Sequence, residues 1–353
     1  MKKILALILT LAIACCLLTG CQVHTENGIT RVTVDFNWKE IGTMLGNAVD
    51  EIGKIFEERL EDALATEPTS PSDNTGTTTS PSLDIPEIPE DSQFQVHYID
   101  VGQADSILII CDGEYMLIDG GNDADGDDVV AYLTALGVPS LDLVVGTHCH
   151  EDHLGGLDKI ANAFTVEEVW YPDYRHGTVN ETMFLEAVER QGIAAYQPDP
   201  GTTYTLGSAI CQVVGPIAKE FEDPNDTSIV IKIVYGENSF LFTGDAELAE
   251  ETSILDAGYD ISCDVLKVGH HGAYTSTGYR WLKTSAPSYA IISVGTGNND
   301  GHPTEATLSR LSDAEVAVYR TDLQGHIVCT SDGTNITISV QKNPDADTFV
   351  PAP

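Results

Sequence analysis

Between Thr147 and His153 the chain reads Thr-His-Cys-His-Glu-Asp-His, which gathers three imidazoles and a carboxylate on one short loop. Neutral imidazole nitrogens and carboxylate oxygens are ligands for zinc, manganese or iron. His148 and His150 alternate and can face one cation, while Asp152 and His153 turn the next corner and can face a second. A cation held this way depresses the pKa of nearby water and neutralises charge that develops during bond cleavage, so the chemistry is hydrolysis. Cys149 lies between two of these histidines. At one residue from each it points away from them and reads as a packed thiol.

The loop follows a short apolar strand, Leu141 to Val145. Side chains at the carboxyl end of such a strand project into the crevice where open α/β sheets bind ligands. Gly155-Gly156 lets the backbone turn sharply into a following helix. A second apolar strand, up to Phe242, ends in the polar turn Thr243-Gly244-Asp245. Further strands are expected at Phe94–Tyr98, Ser106–Ile110, Tyr115–Ile118, Val166–Tyr171, Ser228–Tyr235, Cys263–Val268, Tyr289–Val294, Ala317–Tyr319, Gly325–Cys329 and Ile336–Val340. Helices are expected over Val129–Leu136, Glu181–Gln191 and Thr304–Leu311. Strands and helices interspersed in this way predict an α/β domain of two packed mixed sheets covered by helices.

The run His148-Cys149-His150-Glu151-Asp152-His153 resembles the HxHxDH motif of the metallo-β-lactamase fold, an αββα sandwich. The wider pattern is similar to the nuclease-like domain of the ComEC competence proteins. Asp100-Val101-Gly102-Gln103-Ala104-Asp105-Ser106 resembles that branch's DVGQGDS, with Ala104 where Gly is usual. Ile118-Asp119-Gly120-Gly121, Thr243-Gly244-Asp245, Leu266 to Gly272, Gly301-His302-Pro303 and Tyr319-Arg320-Thr321-Asp322 match in order, so the resemblance covers roughly Phe94 to Val340.

It implies a two-cation phosphodiesterase or nuclease, with zinc or manganese bound by His148, His150, Asp152, His153, Asp245 and His271. Asp245 would bridge both cations. One of His270 and His271 would be a ligand, with His271 preferred, and the other would line the pocket or carry protons. Asp152, His270 and His302 are the candidates for proton handling. Asp119 is a candidate to orient a ligand imidazole through its free N–H. Many members supply another His to the first cation from the loop before the bridging Asp. Here that interval holds only His176, without a motif around it. The ComEC-like branch has an Asn-Asp-Ser element there, matched by Asn225-Asp226-Thr227-Ser228, so Asn225 or Asp226 would contact a metal or its water. Ser276 and Thr277 resemble a phosphate-holding run, with Ala273 where Ser is usual. A phosphorylcholine-esterase-like activity on cell-envelope phosphodiesters is the alternative, and a non-catalytic metal-binding surface protein is a third.

The chain of 353 residues has 42% hydrophobic residues, ample for a core, and a formal net charge of −38. Lys and Arg are sparse and unclustered, which argues against strong binding to duplex nucleic acid. Met1-Lys2-Lys3 and the apolar stretch Ile4–Leu18 read as a signal peptide over residues 1–20. Leu18-Thr19-Gly20-Cys21 resembles the bacterial lipobox, which implies lipidation of Cys21 and anchoring on the outer face of the cell membrane. Residues 21–65 carry an amphipathic helix from Trp38 to Ala65 with an acidic opposite face, suited to self-association, to packing on the main domain or to a solvated stalk. Residues 66–90, rich in Pro, Ser, Thr and acids, read as an extended mobile linker before a hydrolase domain at 91–345. The eight cysteines form neither a disulfide framework nor a CxxC site.

Overall fold

The computed structural model describes residues 20–26, 29–35, 85–89 and 92–351. The chain forms two units, residues 1–79 and 80–353. In the first, β1 (Gly20–Glu26) pairs antiparallel with β2 (Ile29–Asp35), placing Cys21 opposite Val34. The residues after Cys21 therefore form a hairpin. The expected signal stretch Ile4–Leu18, the helix of Trp38–Ala65 and most of the linker lie outside the described residues. Among the described residues no helix is long and apolar enough to cross a membrane.

The second unit is built on two seven-stranded mixed sheets. One contains β3 (Phe94–Tyr98), β4 (Ile107–Cys111), β5 (Glu114–Ile118), β6 (Leu141–Val145), β7 (Val166–Trp170), β15 (Ile327–Ser331) and β16 (Ile336–Val340), in the order β16-β15-β3-β4-β5-β6-β7. The other contains β8 (Thr203–Leu206), β9 (Ala209–Gly215), β10 (Val230–Tyr235), β11 (Asn238–Phe242), β12 (Val265–Lys267), β13 (Tyr289–Ile292) and β14 (Ala317–Arg320), ordered from β14 down to β8.

Period-two alternation decides which side chains go where. Ile107 and Ile109 face the second sheet, whereas Leu108 between them packs on the helices. Phe240 and Phe242 likewise face inward and Leu241 outward. Outside the first sheet lie α1 (Gly126–Ala135), α2 (Glu151–Leu154), α3 (Leu157–Ala163) and α4 (Val179–Arg190). Outside the second lie α5 (Leu248–Ala257), α6 (Tyr279–Ser285) and α7 (Glu305–Asp313), with the short α8 (Thr321–Gln324) after β14. The expected αββα sandwich is the fold observed.

The parallel pairs β5–β6–β7 and β11–β12–β13–β14 set the carboxyl ends of their strands. Asp119, the histidine loop, Asp245, His270-His271 and Ser293 all follow directly from such ends.

The expected domain limits of 91 and 345 are too narrow. Pro86 is buried and Ile85 packs on the outer core of the first sheet, so the last residues assigned to the linker belong to the fold. Past residue 345 the tail stays attached, because the buried Arg320 donates to the carbonyls of Thr348 and Val350. The hairpin β8–β9 and the helices α5 and α6 were not expected from the sequence. In α5 the inward positions include Glu250 and Glu251 beside Ile254, which breaks the apolar stripe that announces a helix.

Phe240 is fully buried between the sheets, its ring 4.9 Å from that of Phe94. Phe240→Ala should cost about 3–5 kcal/mol, seen as a lower urea midpoint with an unchanged slope. A midpoint equal to the parent's would contradict this packing.

Candidate metal centre

Asp119 leaves β5 with a left-handed φ of 59° and turns its carboxylate under the histidine loop. Its Oδ1 accepts from the Thr147 N–H at 2.7 Å and its Oδ2 from the Thr147 hydroxyl at 2.8 Å. The same Oδ2 lies 2.8 Å from His153 Nδ1. The two glycines after the loop are required by close approach. A Cβ on Gly155 would come within 2.3 Å of the Asp123 nitrogen, and one on Gly156 within 2.2 Å of the Gly120 carbonyl oxygen. That contact brings His153, on α2, back beneath β5.

Asp245 is the centre of the site. It is 1% exposed, and its N–H donates to Ser228 Oγ at 3.0 Å. Its Oδ2 lies 3.2 Å from His153 Nε2, 3.7 Å from His271 Nε2, 3.8 Å from His270 Nε2 and 3.9 Å from His148 Nε2. Asp152 Oδ2 is 3.2 Å from His271 Nε2, and His148 Nε2 is 3.1 Å from His150 Nδ1. The second and third of these histidines come from the turn after β12, the others from the loop after β6. Both sheets therefore contribute to one cluster.

Asp152, His153, Asp245 and His271 form a compact group, with one ligand atom from each within 4.8 Å of all the others. Asp245 Oδ1 is buried with no hydrogen-bond partner, and His153 Nε2 has the Asp245 carboxylate 3.2 Å away without an aligned hydrogen bond. Buried polar groups without partners are rare, and these two atoms are aimed at a common space. Such a donor set is able to hold a divalent cation.

Electrostatics agree. Burial acts to raise the Asp245 carboxyl, but His153 and His271 outweigh it and hold it well below the usual range. Burial acts to lower His153, and Asp245, Asp119 and Asp152 together push it well above the ordinary histidine value. His271 is raised too, where burial is outweighed by Asp245 and Asp105. Burial and His153 hold His148 neutral, far below its usual value. A cation entering here takes the place of the protons that these carboxylates attract to the imidazoles.

A family model described as the metallo-beta-lactamase superfamily matches residues 99–296. The chain belongs to the metallo-beta-lactamase superfamily. Among curated relatives it is 30% identical over 254 residues to "ComE operon protein 3" of Bacillus subtilis, covering 67% of this chain and 33% of that protein. It is also 30% identical over 254 residues to "Competence protein ComA" of Neisseria gonorrhoeae, covering 68% and 33%, which agrees with the ComEC-like branch. The chain thus spans about a third of the length of the curated relatives it matches. Among solved structures, the metallo-beta-lactamase fold protein YhfI of Bacillus subtilis aligns at 13% identity and TM-score 0.47, covering 67% of this chain and 100% of that one. Superfamily members are generally metal-dependent hydrolases, and the compact group above is able to hold such a metal.

Within this superfamily domain several expected site residues stand elsewhere. Asp226 does not join the cluster. Its Oδ1 accepts the Glu247 N–H at 2.9 Å and pins the turn after Asp245. Asn225 Nδ2 lies 3.4 Å from both Glu247 Oε1 and His270 Nδ1. The neighbour that does reach the centre is Ser228, through the Asp245 N–H and at 3.5 Å from His148 Nδ1.

Ser276 and Thr277 are buried beside the His270-His271 turn. Thr277 Oγ1 accepts the Gly269 N–H at 3.0 Å, and Glu251 accepts the N–H groups of Thr277 and Gly278. Burial pushes Glu251 up to about 7. His302 stands at the rim, its Nδ1 3.5 Å from Gln103 Nε2 and its ring 5.4 Å from that of His270. Cys149 packs in the outer core of the first sheet, where burial pushes its thiol up to about 11.

Sequence reasoning missed a fully buried ion pair behind the cluster. Lys267 Nζ is 2.7 Å from Asp105 Oδ2, and both side chains are 1% exposed. Asp105 Oδ1 is 3.5 Å from His271 Nδ1, and Asp105 Oδ2 is 3.9 Å from His153 Nδ1. The pair joins the loop after β3 to the end of β12, one from each sheet. Both residues lie inside motifs that match the branch, yet neither motif says that they meet.

Lys267→Met takes from the buried Asp105 carboxylate its nearest cationic partner, which should cost about 3–5 kcal/mol. The double variant Lys267→Met/Asp105→Asn should recover part of that loss in urea unfolding. Equal midpoints for parent and Lys267→Met would contradict the pairing.

Proposed function

We propose that the chain is a metal-dependent phosphodiesterase of the ComEC-like branch, held outside the cell membrane by lipid on Cys21. The observation that carries the hydrolytic part is the convergence of Asp152, His153, Asp245 and His271, with Asp245 Oδ1 buried and unpartnered, at the carboxyl ends of parallel strands in both sheets. These four residues would hold one divalent cation, zinc or manganese. His148 and His150, with Asp245 between the two positions, would hold a second. Bound cations supply positive charge that acidifies water and neutralises the oxygens of a phosphoryl group under attack.

The chain's own residues then position and move protons. Asp119 fixes the His153 ring by accepting at Oδ2 from Nδ1, 2.8 Å away. The Ser293 carbonyl does the same for His271 Nδ1 at 2.9 Å. Gln103 Oε1 accepts the Gly295 N–H at 3.0 Å, which turns its amide nitrogen towards His302 Nδ1 and leaves the His302 proton on Nε2. Burial, with His270 and His271 nearby, holds His302 below the usual histidine value, so it is neutral near pH 7. A neutral Nε2–H at the rim can donate to the departing oxygen.

The names of the relatives, a competence protein and a recombination protein among them, support DNA as the phosphodiester. The charge of −38, and the locking of Lys267 to Asp105, support a second reading: a smaller cell-envelope phosphodiester that needs no basic track.

The full chain supplied with zinc or manganese should hydrolyse bis-p-nitrophenyl phosphate and single-stranded DNA, and Asp245→Ala should abolish both. Turnover confined to p-nitrophenyl phosphorylcholine would select the second reading. Metal binding without turnover of any of the three would leave a non-catalytic metal-binding protein.

A further inference from the structure

The imidazoles around Asp245 share one construction. Each has Nδ1 tied from behind and Nε2 turned inward. For His153 the tie is Asp119, and for His271 it is the Ser293 carbonyl. For His148 it is the Thr147 hydroxyl, 3.1 Å from Nδ1. His270 follows the same rule, because its Nδ1 lies 3.1 Å from Glu247 Oε1. Glu247 is itself fixed by the Thr275 hydroxyl at 2.7 Å. The His270 Nε2 then stands 3.8 Å from Asp245 Oδ2, inside the 3.2 Å to 3.9 Å range of the other three. A ligating imidazole backed by a carboxylate or carbonyl is the usual arrangement at a metal.

The backbone is bent to achieve this. His270 and His271 both adopt left-handed φ, 50° and 51°. Non-glycine residues adopt that region uncommonly, and two in succession require support from their surroundings. Gly269 N–H on Thr277 Oγ1 and Glu251 beneath supply it. The result is that adjacent histidines, which diverge in a regular strand or helix, both face one carboxylate. His302 differs: its Nδ1 faces Gln103, and it stands at the rim.

His148 and His150 supply only two imidazoles to the first position. The histidine customary in the loop before Asp245 is absent. His176, which alone occupies that interval, is exposed with its ring 6.3 Å from that of Tyr174. We infer that His270, oriented by Glu247, is the third imidazole of the first metal position, replacing the missing histidine from the opposite sheet. This rests on the metal-dependent reading above.

The test is metal titration of the full chain with zinc and cobalt(II), following stoichiometry, affinity and the cobalt d–d spectrum. The parent should bind two equivalents. His270→Ala should retain one tight equivalent, with the other weakened by at least about 100-fold and its cobalt band altered. Glu247→Gln, which keeps the imidazole, should weaken that same equivalent by about 10–100-fold. His302→Ala should bind both as the parent does. Two equivalents with parental affinity in both His270→Ala and Glu247→Gln would overturn the assignment, even if hydrolysis were lost, and would leave the hydrolase reading standing. A parent that binds no metal would overturn both.

Discussion

A carboxylate shut away from water without compensation is among the least stable things a fold can contain. Asp245 is shut away from water, and the arrangement of the domain follows from how it is compensated. Its own N–H is held by Ser228, and its Oδ2 is ringed by Nε2 atoms of His148, His153, His270 and His271. Two of those rings hang from the first sheet and two from the second. The cluster exists only while the sheets keep one fixed offset. Phe240 packed on Phe94 and Phe242 stacked on Tyr98 hold that offset through the core. The Lys267–Asp105 pair ties the sheets directly behind the cluster.

The sequence was most legible where the determinants are local. The histidine loop, its preceding strand and the glycine pair after it occupy one short stretch, and the apolar strand before Asp245 marks its turn in the same way. The two-sheet architecture was legible because short apolar strands are interspersed with helices along the chain. Less legible were elements whose buried positions are polar. Glu250 and Glu251 point inward from α5 to accept backbone N–H groups of neighbouring loops, so the helix carries no clear apolar stripe. Thr277 has the chemistry of a phosphate site, but its hydroxyl accepts the Gly269 N–H and supports the strained His270-His271 turn. Asp226 and Ser228 lie two residues apart in one motif, and only the fold decides that the serine faces the centre. The contact of Lys267 with Asp105 depends on how one sheet stacks on the other, which no local pattern records.

These physical constraints separate the secure part of the function from the proposed part. Membership of the metallo-beta-lactamase superfamily and a cluster able to hold a metal follow from the matched family model and the geometry. The bond that is cut belongs to the proposed part. The domain corresponds to about a third of its curated relatives, so the remaining parts of those proteins are no guide to how this chain meets its substrate. With so acidic a balance, cations held at the cluster would be the principal positive charge that the domain offers a phosphodiester under the proposed function.

The central claim is that the ring of imidazoles around Asp245 is a metal centre. Anomalous diffraction from crystals grown with zinc, recorded on both sides of the metal absorption edge, tests it directly. The account predicts peaks at about 2.0–2.2 Å from Asp245 and the inward Nε2 atoms, one beside Asp152, His153 and His271 and one beside His148 and His150. Crystals that take up zinc elsewhere, with imidazoles bonded directly to Asp245 and no peak between them, would contradict it.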